Sequence, residues 1–228
     1  MPDEKNPALA GFAAQVQALR ESRLPAKVGV MVPTYQRPDL LRACMLQLAA
    51  QSRAPDVICV HQNGVSDSYR WVIEDLRIPS QIAWLHTPVQ LPQHQWYSIP
   101  LKYLIEQNCS HFFWADHGDL YRRDHIEKGV ADLQDCDCSL PNHAALLVTG
   151  AAEYRMDPDF DFGARAPGGL ASGMCFNRKF ARALLDDLAE DQSHIYTHDV
   201  IAQVTCPRFR CKPSERRTAI HHHANADN

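Results

Sequence analysis

Nothing in this 228-residue chain is apolar for long. Its apolar runs are a few residues each, as in Ala144-Ala145-Leu146-Leu147-Val148, whereas a spanning helix needs about 20. No transmembrane segment is therefore expected. A basic surplus is also missing, since 23 Lys and Arg stand against 27 Asp and Glu for a net charge of −4. That argues against a nucleic-acid partner. Neither G-x-G-x-x-G nor G-x-x-x-x-G-K-[ST] occurs, which disfavours dinucleotide and P-loop sites. Internal repeats, low-complexity tracts and Gly/Ser linkers are absent too, so a single domain over 1–228 is the simplest organisation. The first residues, MPDEKNPALAGF, carry acids where a secretory signal carries bases and an apolar stretch, and a cytoplasmic location is expected.

What is present suits a folded globule. Hydrophobic residues make up 45% of the chain, enough for a sizeable core. The eight cysteines lie mostly in apolar runs and read as reduced, buried thiols. Cys136-x-Cys138 and the Cys206 to Cys211 interval lack the paired C-x-x-C spacing of a zinc ribbon, so no structural zinc is expected.

Strands and helices alternate through the first 135 residues. Leu9, Phe12, Val16 and Leu19 predict an amphipathic helix over residues 7–21, in the N-terminal segment 1–26. Lys27–Val32 reads as a buried strand, and Pro38 opens a helix with Leu41, Cys44, Met45 and Leu48 on one face. Strands are predicted at Val57–Val60, Ile82–Leu85 and Phe112–Ala115, with helices at 67–76 and 94–107. This order predicts an α/β fold with a mainly parallel central sheet and helices on both faces. In the second half, Ala144–Thr149 and Ser172–Phe176 read as strands. Residues 153–170 read as a long polar loop, Arg178–Ala189 as a helix and Thr197–Val204 as a short helix.

Ligands of open parallel sheets bind beyond the carboxyl ends of the strands. Those ends carry Pro33-Thr34-Tyr35-Gln36-Arg37, His61-Gln62-Asn63-Gly64, His86 and Asp116-His117-Gly118-Asp119. Two carboxylates amid polar and aromatic groups suit a nucleotide with a divalent cation. Plainer roles stand beside these: Thr34 as a helix cap, Gln62-Asn63-Gly64 as an ordinary turn, Trp96 and Tyr154 as core aromatics. The triplet His221-His222-His223 reads either as a ligand source or as an exposed polar tail.

In their order, these segments resemble family 2 glycosyltransferases of the GT-A fold. VGVMVPTYQRPDLLRACMLQLAAQS followed by DVICVHQNG is similar to the family's opening strand, P-T-Y-N-R helix and D-N/D-G-S turn. HFFWADHGDLYRRDHIEKGVADL is similar to its apolar strand, acidic cluster and helix. GGLASGMCFNRKFARALLDDL, Thr197-His198-Asp199-Val200 and Ile220–Asn225 follow where the family places later motifs. The resemblance covers about residues 27–225. It implies one GT-A-like, nucleotide-diphospho-sugar transferase domain, with 27–135 as the nucleotide-binding half and 136–228 as the acceptor half. The implied activity is inverting sugar transfer from a nucleotide-diphosphate sugar to the hydroxyl of a glycan or other acceptor, as in polysaccharide biosynthesis.

The same resemblance implies residue roles. Pro33, Thr34, Tyr35, Arg37, Gln62, Asn63 and Asp116 would contact the donor nucleotide. Asp116, Asp119 and His222 would hold Mn²⁺ or Mg²⁺, and Asp199 would be the catalytic base. Three positions depart from the family pattern. Gly118 replaces the usual metal-ligating Asp, Gln62-Asn63 replaces an acidic turn, and His198-Asp199 replaces Glu-Asp. Two further readings fit these departures: a nucleotide-sugar-binding protein without turnover, and a metal-dependent hydrolase.

Overall fold

The computed structural model describes residues 26–149, 153–156, 172–189 and 200–223. The predicted helix at 7–21, Asp199 and most of the 153–170 segment lie outside them. Among the described residues nine strands join one mixed sheet, in the order β3 (Gln81–Thr87), β2 (Val57–Asn63), β1 (Val28–Thr34), β4 (His111–Trp114), β8 (Cys175–Asn177), β6 (Cys138–Thr149), β9 (Cys211–His223), β5 (Leu120–Tyr121), with β7 (Glu153–Met156) beside β6.

The first half of the sheet is parallel. β1 (Val28–Thr34) lies between β2 (Val57–Asn63) and β4 (His111–Trp114), and β3 (Gln81–Thr87) sits at the edge beyond β2. Every residue of β1 and β2 is buried, as strands covered on both faces must be. Alternation sorts the side chains. Val28, Val30 and Val32 face one layer with Leu41, Met45 and Leu48 of α1 (Pro38–Ala49) and Ile126 of α3 (His125–Asp132). Met31, Cys59, Phe112 and Trp114 face the other layer. There they meet Leu101 and Leu104 of α2 (Gln93–Glu106) and Phe180 and Leu184 of α4 (Arg178–Ala189).

The second half reverses direction. β8 (Cys175–Asn177) runs antiparallel to β4, and β6 (Cys138–Thr149) antiparallel to β8. β9 (Cys211–His223) then pairs parallel with β6 and antiparallel with β5 (Leu120–Tyr121).

Five predicted segments differ. β8 starts at Cys175, three residues after the expected Ser172, which lies with Gly173 in a turn. The helix expected over 67–76 is a single 3₁₀ turn at Arg70–Ile73, because the Gln62 amide engages the Asp67 carbonyl and the Tyr69 N–H. Glu153–Met156, expected in a loop, is β7, hairpinned onto β6. β6 begins six residues before the expected Ala144 and passes Pro141 by a register shift between Leu140 and Asn142, since proline cannot donate to a ladder. The histidine triplet is no loose tail: it ends β9, with His221–His223 in register with Leu146–Val148. Thr34 is not the helix cap either. Arg37 holds that position, and the Thr34 hydroxyl bonds Tyr69 Oη at 2.9 Å.

Candidate functional site

After β1 the chain moves outward to β2 and β3, then returns through α2 to β4 on the other side of β1. The carboxyl ends of β1 and β4 therefore flank the switch point of the sheet, where open α/β sheets bind ligands. A cleft of about 120 Å³ opens there, lined by Pro33, Thr34, Tyr35, Trp96, Tyr97, Asp116 and His117. A larger hollow of about 490 Å³ lies between α1 and the 3₁₀ turn. Of its charged groups, Arg42 and Asp75 already bond each other at 2.7 and 2.8 Å, and Asp39 lies 3.5 Å from Arg37, so it offers little convergent chemistry.

Asp116 forms the charged end of the cleft, and the buried Asp119 acts on it. Asp116 is half-buried, and Trp114 Nε1 donates to its Oδ1 at 3.0 Å. Asp119 is buried, and Ser172 Oγ bonds its Oδ2. Tyr121 Oη meets Ser172 Oγ at 2.9 Å and donates to the Asp116 carbonyl at 3.1 Å. Burial first, and the Asp119 charge second, push the Asp116 carboxyl up to about 7. The pair thus holds a proton near neutrality. A divalent cation would replace that proton, and carboxylate oxygens suit Mg²⁺ or Mn²⁺. Among the described residues no third His, Cys, Asp or Glu completes the ligand set. Gly118 leaves room for one, because a Cβ there would meet only Leu40 Cδ1, at 3.8 Å. His117 turns toward the strand, its Nδ1 donating to the Pro33 carbonyl at 3.1 Å.

The walls are aromatic. Tyr35 and Trp96 stand 5.9 Å apart, and Tyr97 packs on Trp114 at 3.9 Å. Gly64, at φ +73°, leaves space for the Tyr35 ring, which a Cβ there would meet at 2.9 Å. Trp96 is placed by an irregular helix. Pro100 lies inside α2 and offers no N–H to the Trp96 carbonyl four residues earlier. The Nδ1 of buried His61, on β2, takes that carbonyl at 3.0 Å, and its Nε2 accepts from the Thr87 hydroxyl at 3.0 Å.

The sequence-predicted donor residues divide. Pro33, Thr34, Tyr35 and Asp116 meet in the cleft. Arg37 caps α1 and lies 3.5 Å from Asp39. Both ends of the Gln62 amide are spent on the 67–69 segment, at 2.8 and 3.1 Å. Asn63 Oδ1 accepts from the Leu91 N–H at 3.1 Å, while its buried Nδ2 has no partner among the described residues. His222 is placed on β9 opposite Leu147, and its side chain lies outside the described part. Asp199 lies outside it as well, one residue before fully buried Val200. Tyr97, Tyr121 and Ser172 were not foreseen. Tyr97, next to Trp96 at a helix start, carried some signal; Ser172 reaches Asp119 only through the β4–β8 pairing.

No protein-family model matches the sequence, and no curated protein matches it. Solved structures do match in fold. TarS from S. aureus is 14% identical in its UDP-GlcNAc complex, with a TM-score of 0.57 covering 87% of this chain and 57% of that one. Without that ligand it is 15% identical at a TM-score of 0.58, and this chain spans 59% of its length. The 4-diphosphocytidyl-2C-methyl-D-erythritol synthase of Anaerococcus prevotii is 10% identical, with a TM-score of 0.56 covering 84% and 87%. The fold is GT-A-like.

Proposed function

We propose that the protein transfers a sugar from a nucleotide-diphosphate donor to an acceptor hydroxyl, with inversion, as a family 2-like glycosyltransferase. The observation that carries this reading is the paired, withdrawn carboxylates Asp116 and Asp119 beside an aromatic cleft at the switch point. Two such groups raise each other's proton affinity unless a cation joins them, and a departing diphosphate needs a cation against it. Asp116 and Asp119 would hold Mn²⁺ or Mg²⁺, with His222 as the third ligand, and the ion would offset the charge on the leaving diphosphate. Thr34, Tyr35 and Arg37 would flank the nucleotide. The free Nδ2 of Asn63 is a donor suited to a base carbonyl, and Gln62 would support it by holding the 67–69 segment. Asp199 would take the acceptor proton from the opposite face of the sugar. The UDP-GlcNAc complex of the similar TarS structure makes that compound the first donor to try.

Calorimetric titration with UDP-GlcNAc and other nucleotide sugars, with and without Mn²⁺, tests the donor site. UDP release in the presence of candidate glycans tests transfer. Absence of binding for every nucleotide sugar would overturn the proposal. Gly118 favours a second reading, a binding protein without turnover. Tight donor binding with no release across acceptors would select it.

A further inference from the structure

Outside the cleft, three of the eight cysteines converge. Cys138 begins β6, Cys211 begins β9 as its register partner, and Cys206 opens the 3₁₀ turn Cys206–Arg208 just before β9. Their Sγ atoms all lie within 4.8 Å of one another. All are unbridged; Cys138 and Cys206 are buried and Cys211 is half-buried. Packing alone explains single buried thiols well, since cysteine behaves as a small apolar residue. It does not explain why three chain segments bring their sulfurs to one point beside a large apolar layer.

We propose that Cys138, Cys206 and Cys211 are a thiolate site for Zn²⁺, with a water molecule in the fourth position. Zinc–sulfur bonds of about 2.3 Å place tetrahedral sulfurs about 3.8 Å apart, so each Sγ needs to move inward by less than about 1 Å. The half-buried Cys211 leaves a route for the ion and room for the water. Binding releases the three thiol protons to solvent. Oxygen-preferring Mg²⁺ does not suit this donor set.

The ion would join β6, β9 and the six-residue π-helical segment Val200–Thr205 that leads into Cys206. It would thereby anchor the chain directly after Asp199. This site does not depend on the transferase reading.

The test is made on the full chain, purified without metal-affinity resin and kept reduced in thiol-free buffer. Elemental analysis should find zinc, and Co²⁺ replacing it should give a near-ultraviolet sulfur-to-cobalt charge-transfer band. Imidazoles of the His221–His223 triplet give no such band. Cys138→Ser, Cys206→Ser and Cys211→Ser should each abolish it and weaken Zn²⁺ binding by more than the roughly 10- to 100-fold that losing an outer partner costs. Cys44→Ser and Cys136→Ser should retain it. Should the serine variants not fold, alkylation of the unmodified chain decides: Zn²⁺ must slow modification of Cys211, read by mass spectrometry. No charge-transfer band, a band surviving in folded Cys206→Ser, or Cys211 alkylation indifferent to Zn²⁺ would each overturn the site.

Discussion

The carboxylates at the cleft and the thiols at the start of β6 and β9 are both clusters of ionisable side chains withdrawn from water, but they are assembled differently. Asp116 and Asp119 leave a single strand end, and local chain geometry holds them together: the Asp119 N–H bonds the Asp116 carbonyl at 3.1 Å. The thiols come from three segments and meet only because β9 pairs with β6. Their chemistry diverges too. Hard oxygens would exchange a proton for a weakly held Mg²⁺ or Mn²⁺, whereas soft sulfurs would suit an ion that stays. The first cluster fits an ion that comes and goes with a substrate, the second an ion that belongs to the fold.

The largest expected effect breaks the comparison at its oxygen end. Asp116→Asn should lower transfer by about 100-fold or more, the scale of losing a group that stabilises developing charge. Chelation with EDTA should do likewise, reversed by Mn²⁺ or Mg²⁺. Transfer that survives both treatments would remove the carboxylates from the chemistry. Next comes Ser172→Ala, which deletes the hydroxyl on Asp119 Oδ2. A stability loss of about 1–3 kcal/mol is expected in chemical denaturation, the cost of leaving a buried acceptor unsatisfied.

A third test sharpens the comparison through pH. The Asp116 carboxyl, ordinarily at 3.8, stands at about 7 in the fold, so the folded chain holds a proton that the unfolded chain gives up earlier. That stabilisation is complete below 3.8 and is lost as pH rises through about 7. The melting temperature of the cation-free protein should fall across this window, and both Asp116→Asn and saturating Mn²⁺ should flatten the fall. An equal slope in all three would refute the shared proton. The smallest effect is a gain. Gly118→Asp fits the space beside Leu40 and should tighten Mn²⁺ binding by roughly the few-fold to tenfold that a modest added interaction provides. Unchanged calorimetric affinity would show that position 118 does not face the ion.

Much of the first half was legible because β1 and β2 open on the apolar runs Val28–Val32 and Val57–Val60 and are buried throughout. The helix Arg178–Ala189 was read to the residue, since its apolar face is regular and Asn177 marks its start. The 67–76 segment failed because a side chain from β2, invisible in local periodicity, captures its backbone. β6 was read short because its first residues, Cys138 to His143, include polar groups and a proline that only the β8 and β9 partners accommodate. The strand-end rule found Thr34, Tyr35 and Asp116. Nothing local could announce Ser172, which reaches Asp119 across 53 residues of chain, and the thiol cluster was missed for the same reason.

An α-helix is a screw whose turns look alike, and side-chain packing alone distinguishes poorly between neighbouring positions along its axis. The proline within α2 removes that ambiguity. One rung is open, and a buried imidazole from the next layer fits that rung and no other, so the helix is indexed against the sheet like a gear held by a single pawl. Trp96 and Tyr97 inherit the index, which sets where the aromatic wall stands relative to Asp116. The pawl acts through the Nδ1 proton, and in the neutral ring Nε2 receives one from the Thr87 hydroxyl. Burial holds His61 below its ordinary protonation range, so the wall keeps its place while the carboxylates opposite gain and lose theirs.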